Sequence, residues 1–524
     1  MTDTQVAKRP KGRTLAEFRP LSRAERKLLA CAASGKVAAF GKERPESAND
    51  ANDANTVRGE FIRFLALGGD EDAPVHEKGV QLRRAWITGT LDLEGVETKG
   101  GLFLVRSAFE AAPVFLDARI RGSLNLTGSK MPGLRGDRLT CDGSLFLRQK
   151  FVATGEVRLL GAKIGSNLYC DGGTFQNEGQ NALSADGIDV NGDVFLNTNF
   201  TATGEVRLLG AKIGGDLVLR AGTFASDKVA VNLERASVNG SMMINRVKIE
   251  AGKINLSGAT VARHIDDADS WNQGVILDGF VYGAFGGTAP TDAKMRIDWL
   301  DQQPGAHSGK DGNGSTFRPQ PWQQLRKVLR EMGHYEAARE VGIAFERRKG
   351  ECGLIGQTPE ISVGQALRAV GGSVYGKTAR LLHIGYGALV GYGYRPLRLL
   401  MIATVVWLVF GGGYFAAARW DGAFVPSTQA LFSRYGGMCG LPAHVRWTDC
   451  KAIRLEYPQF YPLAYSLNVL LPVGNLGQEG TWRPETGTWG GRIAQFAVWF
   501  ETLFGWMAGL ILVAVVSGLA KRDE

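Results

Sequence analysis

One short stretch of the sequence has the spacing of a phosphate-binding loop. Residues 371–378 read GGSVYGKT and match the P-loop pattern GxxxxGK[ST], with the defining positions at Gly371, Gly376, Lys377 and Thr378. A P-loop follows a buried strand and opens a helix, so that backbone N–H groups face the phosphates. The preceding residues, GQALRAV, read as helix instead, and a long apolar stretch follows too soon for an α/β domain. We therefore expect Lys377 to be a charge beside that stretch.

The cysteine and histidine residues form no local metal, haem or redox motif. No two of the six cysteines have CxxC spacing, and no two of the six histidines have HxxxH spacing. No GxGxxG follows an apparent strand, and no CxxCH is present. We therefore expect no catalytic residue, no metal and no cofactor. The net charge of +9 is not gathered into a basic run, so we also expect no nucleic-acid partner.

Two long uncharged stretches near the C-terminus predict transmembrane helices. Residues 399–418 read LLMIATVVWLVFGGGYFAAA, and residues 502–520 are also without charge. Twenty helical residues rise about 30 Å, which matches the hydrocarbon thickness of a bilayer. We place the helices at 397–419 and 493–520, with the lipid bilayer as their partner.

The charges around these helices predict their orientation. Basic residues precede the first helix and follow the second, at Arg395, Arg398, Lys521 and Arg522. By the positive-inside rule both termini are then cytoplasmic, and residues 420–492 lie outside the cytoplasm. The N-terminal stretch MTDTQVAKRPKGR lacks the apolar core of a signal peptide, which favours the same placement. Cys439 and Cys450 fall in the compartment where disulfides persist, and we expect them to pair.

A shorter apolar run lies between the two predicted helices. Residues 459–478 begin with QFYPLAYSLNVLLPVG, which is too short to span a bilayer but has the length of a re-entrant segment. Two helices around a re-entrant segment form the layout of a pore subunit, which must form a homo-oligomer to enclose a pore. Asn475, Gln478 and Glu479 would then line the axis, with Glu501 at membrane depth. Two alternatives stay open: a folded extracytoplasmic segment, and Glu501 at the membrane interface.

The middle of the chain carries an internal repeat. ATGEVRLLGAKIG occurs at residues 153–165 and again at 202–214. A shorter pattern, Gly-x-apolar-x-apolar, recurs mostly every 20 to 27 residues as GSLNL, GSLFL, GDVFL, GDLVL and GSMMI. Short strands of this kind cannot bury a face alone, but they bury a continuous column when successive turns stack. The sequence therefore predicts a β-solenoid over residues 76–288, with glycine at its corners.

Alternation within the repeated strands predicts which side chains face the core. Successive strand residues point to opposite faces, so the apolar positions of the pattern should share one side. We expect an inward column made of Leu124, Leu126, Leu145, Leu147, Val194, Leu196, Leu217 and Leu219.

Helical patterns flank the solenoid. Residues 1–75 predict an N-terminal helical region, and residues 296–350 predict a helical hairpin that turns at Gly333. Residues 351–396 read as a juxtamembrane linker. The predicted fold class is therefore α+β and membrane-bound: a stacked-coil β-solenoid with flanking helices and a C-terminal transmembrane helix pair.

Several of these stretches resemble a family of bacterial membrane proteins. The resemblance lies in VRGEFIRFLALGGDE, PVHEKGVQLRRAWITGTLDLEG, the GEVRLLGAKIGG coils, RPQPWQQL, VGYGYRP and YSLNVLLPVGNLGQE, and covers about residues 57–522. Members are often labelled "membrane-associated oxidoreductase" or left uncharacterised. The label implies redox activity in a bacterial inner membrane. The solenoid is also similar to pentapeptide-repeat proteins. The C-terminal layout resembles two-transmembrane ion channels, with LLPVGNLGQ in place of their TVGYG filter.

Three functional hypotheses follow. The first is a non-enzymatic membrane-anchored scaffold, whose solenoid presents a long side to a cytoplasmic protein partner. The second is a channel-like homo-oligomer with a pore loop. The third is the oxidoreductase that the family label implies. The absorption spectrum of bound flavin or haem distinguishes the third hypothesis, and the oligomeric state in detergent separates the first two.

Overall fold

The structure is a computed structural model that describes residues 14–517, apart from 272, 357–364, 429, 440–445, 472–473 and 475. The chain divides into two compact units, Met1–Cys352 and Gly353–Glu524. The first unit contains a β-solenoid of about nine turns with flanking helices, which confirms the predicted architecture of this part. The second unit contains the two apolar helices.

The solenoid strands form four parallel ladders, which the chain visits in the same order in each turn. The first ladder contains Ala38–Ala39, Val80–Arg83, Leu102–Val105, Leu124–Asn125, Leu145–Phe146, Leu168–Tyr169, Val194–Phe195 and Leu217–Val218. The second contains Thr56–Arg58, Trp86–Thr88, Ala108–Phe109, Lys130–Met131 and Val152–Ala153. The third contains Leu134–Arg135, Val157–Arg158 and Val275–Ile276. The fourth contains Arg119–Ile120, Thr140–Cys141, Lys163–Ile164, Asp189–Val190 and Lys212–Ile213.

Longer strands run from one ladder into the next in the later turns. Four of them belong to both the second and the third ladder: Thr174–Ser184, Thr201–Arg207, Thr223–Asn232 and Lys248–Asn255. Three more continue both the fourth and the first ladder: Ser237–Met243, Thr260–Ile265 and Val281–Phe285. Each strand therefore finds its backbone partners one turn away, as a solenoid requires.

The solenoid core is a set of apolar columns. In the first ladder Leu124 pairs with Leu145, and Val194 pairs with Leu217, so the same side-chain position repeats from turn to turn. The eight side chains predicted to face inward are all buried, with at most 1% exposed. Burying each such aliphatic side chain contributes about 1.5–3 kcal/mol, so the stacked columns carry most of the solenoid's stability.

Glycine of the long repeat forms a corner. Gly161 and Gly210, which occupy equivalent positions in the two copies of GAKIG, both have φ of 62°. This left-handed conformation is accessible to glycine without steric cost. The repeat therefore encodes both the inward apolar positions and the bend that ends each ladder.

The solenoid begins earlier in the chain than the predicted residue 76. Two helices are present near its start, α1 (Arg23–Ser34) and α2 (Gly59–Ala66). Ala38–Ala39 and Thr56–Arg58 already pair with the strands of the next turn. Strands of two or three residues carry no readable periodicity, which is why the sequence suggested only helices here.

A helical segment covers the last turn. It consists of α3 (Ala293–Leu300), α4 (Gly305–Ser308), α5 (Gln320–Glu331) and α6 (Tyr335–Glu351). The side-chain amides of Gln320 and Gln324 donate to the carbonyls of Phe280 and Tyr282, at 3.0 and 2.7 Å. These bonds occupy part of the strand edge that a solenoid end would otherwise leave unpaired.

The second unit is built from longer helices. They are α7 (Gln365–Val390), α8 (Leu397–Trp420), α9 (Ala430–Cys439), α10 (Pro462–Leu470) and α11 (Trp489–Val516), with an antiparallel pair of strands, Phe424–Pro426 and Trp482–Pro484. Short 3₁₀ helices in the chain lie at Leu15–Phe18, Ala48–Asp50, Ala268–Trp271, Trp447–Asp449 and Ile453–Leu455. Among the described residues, α8 and α11 are long and apolar enough to cross a membrane.

Candidate functional site

Helix α10 packs closely between α8 and α11. A Cβ atom at Gly505 of α11 would lie 2.0 Å from the carbonyl oxygen of Leu470, and one at Gly411 of α8 would lie 2.7 Å from the Leu463 side chain. The indole N–H of Trp407 donates to the Leu463 carbonyl at 2.8 Å. Glycine thus permits α10 to approach both long helices at backbone distance.

The contacts of α10 reach far along both long helices. Trp420 ends α8 and Trp489 begins α11, and the strand pair Phe424–Pro426 and Trp482–Pro484 joins these two ends. Gly505 lies sixteen residues from Trp489, or about 24 Å along the axis at 1.5 Å per residue. Helix α10 therefore enters from the joined end and extends beyond the middle of α11. If α8 and α11 cross a membrane, this is the layout of a re-entrant segment.

The chain after α10 returns along the same path. The side-chain oxygen of Asn468 accepts hydrogen bonds from the backbone N–H groups of Leu476, Gln478 and Glu479, at 3.1, 3.1 and 3.4 Å. The Gln478 side chain then accepts from the backbone N–H of Tyr461, just before α10, at 3.0 Å. Asn468 and Gln478 therefore hold the return segment against the start of α10.

Of the predicted pore residues, Gln478 and Glu479 do not share one environment. Gln478 is buried, and its amide is bound to its own chain. Glu479 is exposed. Asn475 lies outside the described residues. Of these two described residues, Glu479 presents its side chain to the surroundings, while Gln478 is engaged within its own chain.

Glu501 lies in the interior of the second unit. It is 0% exposed, and one carboxyl oxygen accepts from the Tyr414 hydroxyl of α8 at 2.8 Å. The other carboxyl oxygen is in hydrogen-bond contact with the Ser466 hydroxyl of α10. A single acidic side chain therefore joins all three helices. The sequence located Glu501 in an apolar stretch but could not supply its partners, which come from 35 and 87 residues away.

The remaining predicted residues lie elsewhere in the second unit. Gly371, Gly376, Lys377 and Thr378 all fall inside α7, where backbone N–H groups serve the helix rather than an open phosphate loop. Cys439 and Cys450, the pair expected to bond, are joined by a disulfide with Cα atoms 5.7 Å apart.

The outer surface of the first ladder carries a row of apolar side chains that the sequence analysis did not identify. We call this row the aromatic stripe; its members are Phe103, Phe146, Tyr169, Phe195, Val218, Met243 and Ile265. Asn125 takes the position between the first two. The rings of Phe146, Tyr169 and Phe195 stack with centroids 4.9 and 5.1 Å apart and planes 2° and 7° from parallel. All members but Val218 are partly exposed. The sequence repeat did contain this information: the stripe residues are those between the two inward apolar positions of each repeat.

Polar groups border the stripe on both sides. On one side, short polar side chains accept hydrogen bonds from backbone N–H groups of the following turn. Asn167 accepts from the N–H of Asp193, and Asp193 accepts from the N–H of Asp216. On the other side lie the exposed arginines Arg106, Arg220 and Arg246. Within the described part of the chain none of the three guanidinium groups forms an ion pair, although the backbone N–H of Arg246 donates to the Asp267 carboxylate at 2.7 Å. The stripe is therefore an apolar row with a basic edge.

A buried cluster of charged side chains lies in the last turns of the solenoid core. His264 continues the column of Leu217 and Met242, and Asp266 lies two residues on, where earlier turns have leucine or isoleucine. Asp266 accepts from the Arg296 guanidinium of α3 at 2.7 and 2.8 Å and from Trp271 Nε1 at 3.1 Å. Burial alone would raise the pKa of Asp266, but the charges and hydrogen bonds of His264 and Arg296 outweigh it and hold that pKa well below its usual range.

The residues that the structure describes contain no group of three or more His, Cys, Asp or Glu side chains able to hold a metal ion. Comparison with known proteins finds no matching family model, no matching curated protein and no matching solved structure. The functional argument therefore depends on the geometry of this chain alone.

Proposed function

We propose that this protein is a membrane-anchored scaffold, in which α8 and α11 fix the chain in a bilayer and the solenoid presents the aromatic stripe to a protein partner. The observation that carries the proposal is the stripe itself. The register of the ladder sets the positions of its three stacked rings, and the solenoid beneath them has a packed core. The surface is therefore rigid before any partner binds. Rigid aromatic side chains lose little entropy on binding, which favours them at interfaces.

Exposed apolar side chains on both long helices support the anchoring. Met401, Val405 and Val409 of α8 are 60–64% exposed, and Leu503 and Leu510 of α11 are 67–71% exposed. Large contiguous apolar surface of this kind is costly in water and favourable in hydrocarbon.

The disulfide and the flanking charges suggest the orientation. Cys439 and Cys450 lie between the two helices, and disulfides persist outside the cytoplasm. Arg395 precedes α8 in the chain, and Arg398 lies in its first turn. Both features support our proposal that the solenoid lies in the cytoplasm of a bacterial cell, with the anchor in the inner membrane.

The basic edge of the stripe defines the chemistry of the partner. Arg106, Arg220 and Arg246 lie next to the apolar row, and none of their guanidinium groups forms an ion pair within the described chain. A partner that matches this surface offers a row of apolar side chains flanked by aspartate or glutamate. Charge complementarity of this kind sets orientation and raises the association rate.

Site-specific photo-crosslinking in cells tests the proposal. A photoreactive residue replaces Phe146 or Phe195 in the full chain, with Lys163 and Lys212 of the fourth ladder as matched exposed controls. We expect one discrete crosslinked species from each stripe position, none from the controls, and loss of that species in the Arg220→Glu, Arg246→Glu double variant. Crosslinks that survive the charge reversal, that appear equally at the controls, or that are absent from the stripe contradict the proposal.

The geometry of α10 favours a second candidate function, an oligomeric cation pore. Its supporting observation is that α10 is held between α8 and α11 and that Asn468 of α10 binds the return segment, with Glu479 exposed at the end of the return. Two helices per copy cannot enclose such a segment, so several copies would have to meet around it. Cysteine at 479 should then crosslink neighbouring copies in liposomes, and Glu479→Gln should reduce cation flux. A monomer without flux eliminates this candidate and leaves the scaffold proposal intact.

A further inference from the structure

The hydrogen bonds around Ser466 need one more proton than the hydroxyl groups supply. Ser466 Oγ lies 3.1 Å from the backbone carbonyl of Trp407 and in contact with Glu501 Oε1. A serine hydroxyl has one hydrogen, so it can donate to only one of these two oxygens. Tyr414 uses its own hydrogen on Glu501 Oε2.

An ionised Glu501 leaves this cluster unsatisfied. If Ser466 donates to the carboxylate, the Trp407 carbonyl faces an oxygen without a hydrogen between them. If Ser466 donates to Trp407, the carboxylate faces the serine lone pairs. In both arrangements the charge lies in the interior with two neutral hydroxyl groups as its only possible donors among the described residues, and burial of a charge with so few donors is unfavourable.

A protonated Glu501 satisfies every group. Its acid O–H donates to Ser466, the Ser466 hydroxyl donates to the Trp407 carbonyl, and Tyr414 donates to the second carboxyl oxygen. Each of the three hydrogens then has one acceptor, and each of the five oxygens is engaged. The result is one chain of hydrogen bonds from α11 through α10 to α8.

Glu501 is bonded to no positively charged group in the described part of the second unit. The titratable groups that act on this site are Tyr414 of α8, Tyr465 of α10 and Glu479 of the return segment. Two are neutral phenols and the third is an acid. Among the described residues no lysine, arginine or histidine bonds to Glu501.

We propose that Glu501 is a proton-binding site that is occupied at neutral pH, and that its proton holds α10 against α8 and α11. When the proton leaves, Ser466 can serve Glu501 or Trp407 but not both, so one of the two attachments of α10 at this point is lost. The inference does not depend on the scaffold proposal, since it concerns the contacts inside the second unit.

Infrared spectroscopy of the full chain in lipid nanodiscs tests the occupied state. A buried carboxylic acid gives a carbonyl stretch that is separate from carboxylate bands. We expect this band at neutral pH in the native protein, its loss in Glu501→Gln, and no change in Glu94→Gln, where the side chain is exposed on the solenoid. A native spectrum at neutral pH without a band that Glu501→Gln removes overturns the proposal.

The same substitution tests the proton count by stability. A glutamine amide can donate to Ser466 and accept from Tyr414, as the protonated acid does, so Glu501→Gln should keep the native unfolding temperature at neutral pH. Ser466→Ala, which breaks the chain in the middle, should lower it. A fall in Glu501→Gln as large as in Ser466→Ala means that the native carboxylate accepts two bonds, and the proposal is then wrong.

Hydrogen exchange tests the coupling. At each pH, the exchange rate of the α10 amides in the native protein is divided by the rate in Glu501→Gln. This ratio should be near one at neutral pH. The ratio should increase at alkaline pH as the native acid loses its proton. A ratio that stays near one over the whole range in which the infrared band disappears contradicts the link between the proton and α10.

Discussion

Replacing Asp266 by alanine should open the last turns of the solenoid, because it leaves a buried arginine without its counter-ion. Asp266 and Arg296 are both 0% exposed, and two hydrogen bonds of 2.7 and 2.8 Å join them. A carboxylate only accepts hydrogen bonds, so His264 Nε2, at 3.0 Å, carries the hydrogen in this contact. The substitution therefore removes the acceptor that Arg296, His264 and Trp271 share.

The expected cost follows from the burial of the pair. Removing one partner of a buried ion pair costs about 3–5 kcal/mol, since the other charge stays desolvated. Each 1.4 kcal/mol is a factor of ten in an equilibrium constant, so opening of the last turns should become at least about a hundredfold more frequent. Stability in a solenoid is shared mainly between neighbouring turns, which confines the effect.

Hydrogen exchange followed by mass spectrometry measures this opening. Amides of Thr260–Ile265 and Val281–Phe285 should exchange at least about a hundredfold faster in Asp266→Ala, while those of Leu124–Asn125 should keep their rates. The matched control replaces the whole cluster with apolar residues, as His264→Leu, Asp266→Leu and Arg296→Met. Because earlier turns have apolar residues at the positions of His264 and Asp266, and because the variant removes the arginine charge with them, it should recover most of the protection.

Two outcomes would refute the reasoning. Unchanged exchange in the last turns of Asp266→Ala would mean that the ion pair does not hold the end of the solenoid. Exchange that accelerates equally in all turns would mean that the stability of the solenoid is not divided among neighbouring turns.

Three further predictions concern the second unit and pH. Gly505→Ala should lower the unfolding temperature because its Cβ would meet the Leu470 carbonyl, whereas Gly413→Ala, with nothing within 4 Å, should leave it unchanged or slightly higher. Asn468→Ala should expose the return segment 476–479 to proteolysis, because it removes the acceptor of three backbone N–H groups and the donor to the Gly474 carbonyl. The folded pKa of Asp266 is depressed, so its contribution to stability is complete above about pH 4 and decreases as pH falls below that value. Last-turn exchange, corrected for intrinsic rates, should therefore accelerate in acid in the native protein but not in the triple apolar variant.

The solenoid was predictable because its information is local and repeated. The verbatim repeat predicted that the chain forms successive solenoid turns. The alternation of apolar residues predicted that Leu217 and its equivalents face the core. The first turn was not predictable, since strands as short as Ala38–Ala39 leave no pattern. The helical hairpin was predictable from apolar residues at helical spacing, and the structure has it as α5 and α6.

The contacts of the candidate site were not predictable from the sequence. Glu501 drew attention as an acid in an apolar stretch, but its partners Tyr414 and Ser466 are distant in the chain. The aromatic stripe and the Asp266 cluster could have been found by aligning the turns. In that alignment His264 stands out as a polar residue in a column of leucine, valine and methionine.

The central claim is that the chain brings a partner to a membrane through the aromatic stripe. The most direct test is the distribution of the protein captured at Phe146 and Phe195 between membrane and soluble fractions of cells. In cells that contain the native chain, we expect this partner in the membrane fraction. We also expect a soluble partner when the chain ends at Cys352, and a soluble partner in the Phe146→Ser, Phe195→Ser variant of the full chain. A partner that stays in the membrane fraction in both altered strains would contradict the account.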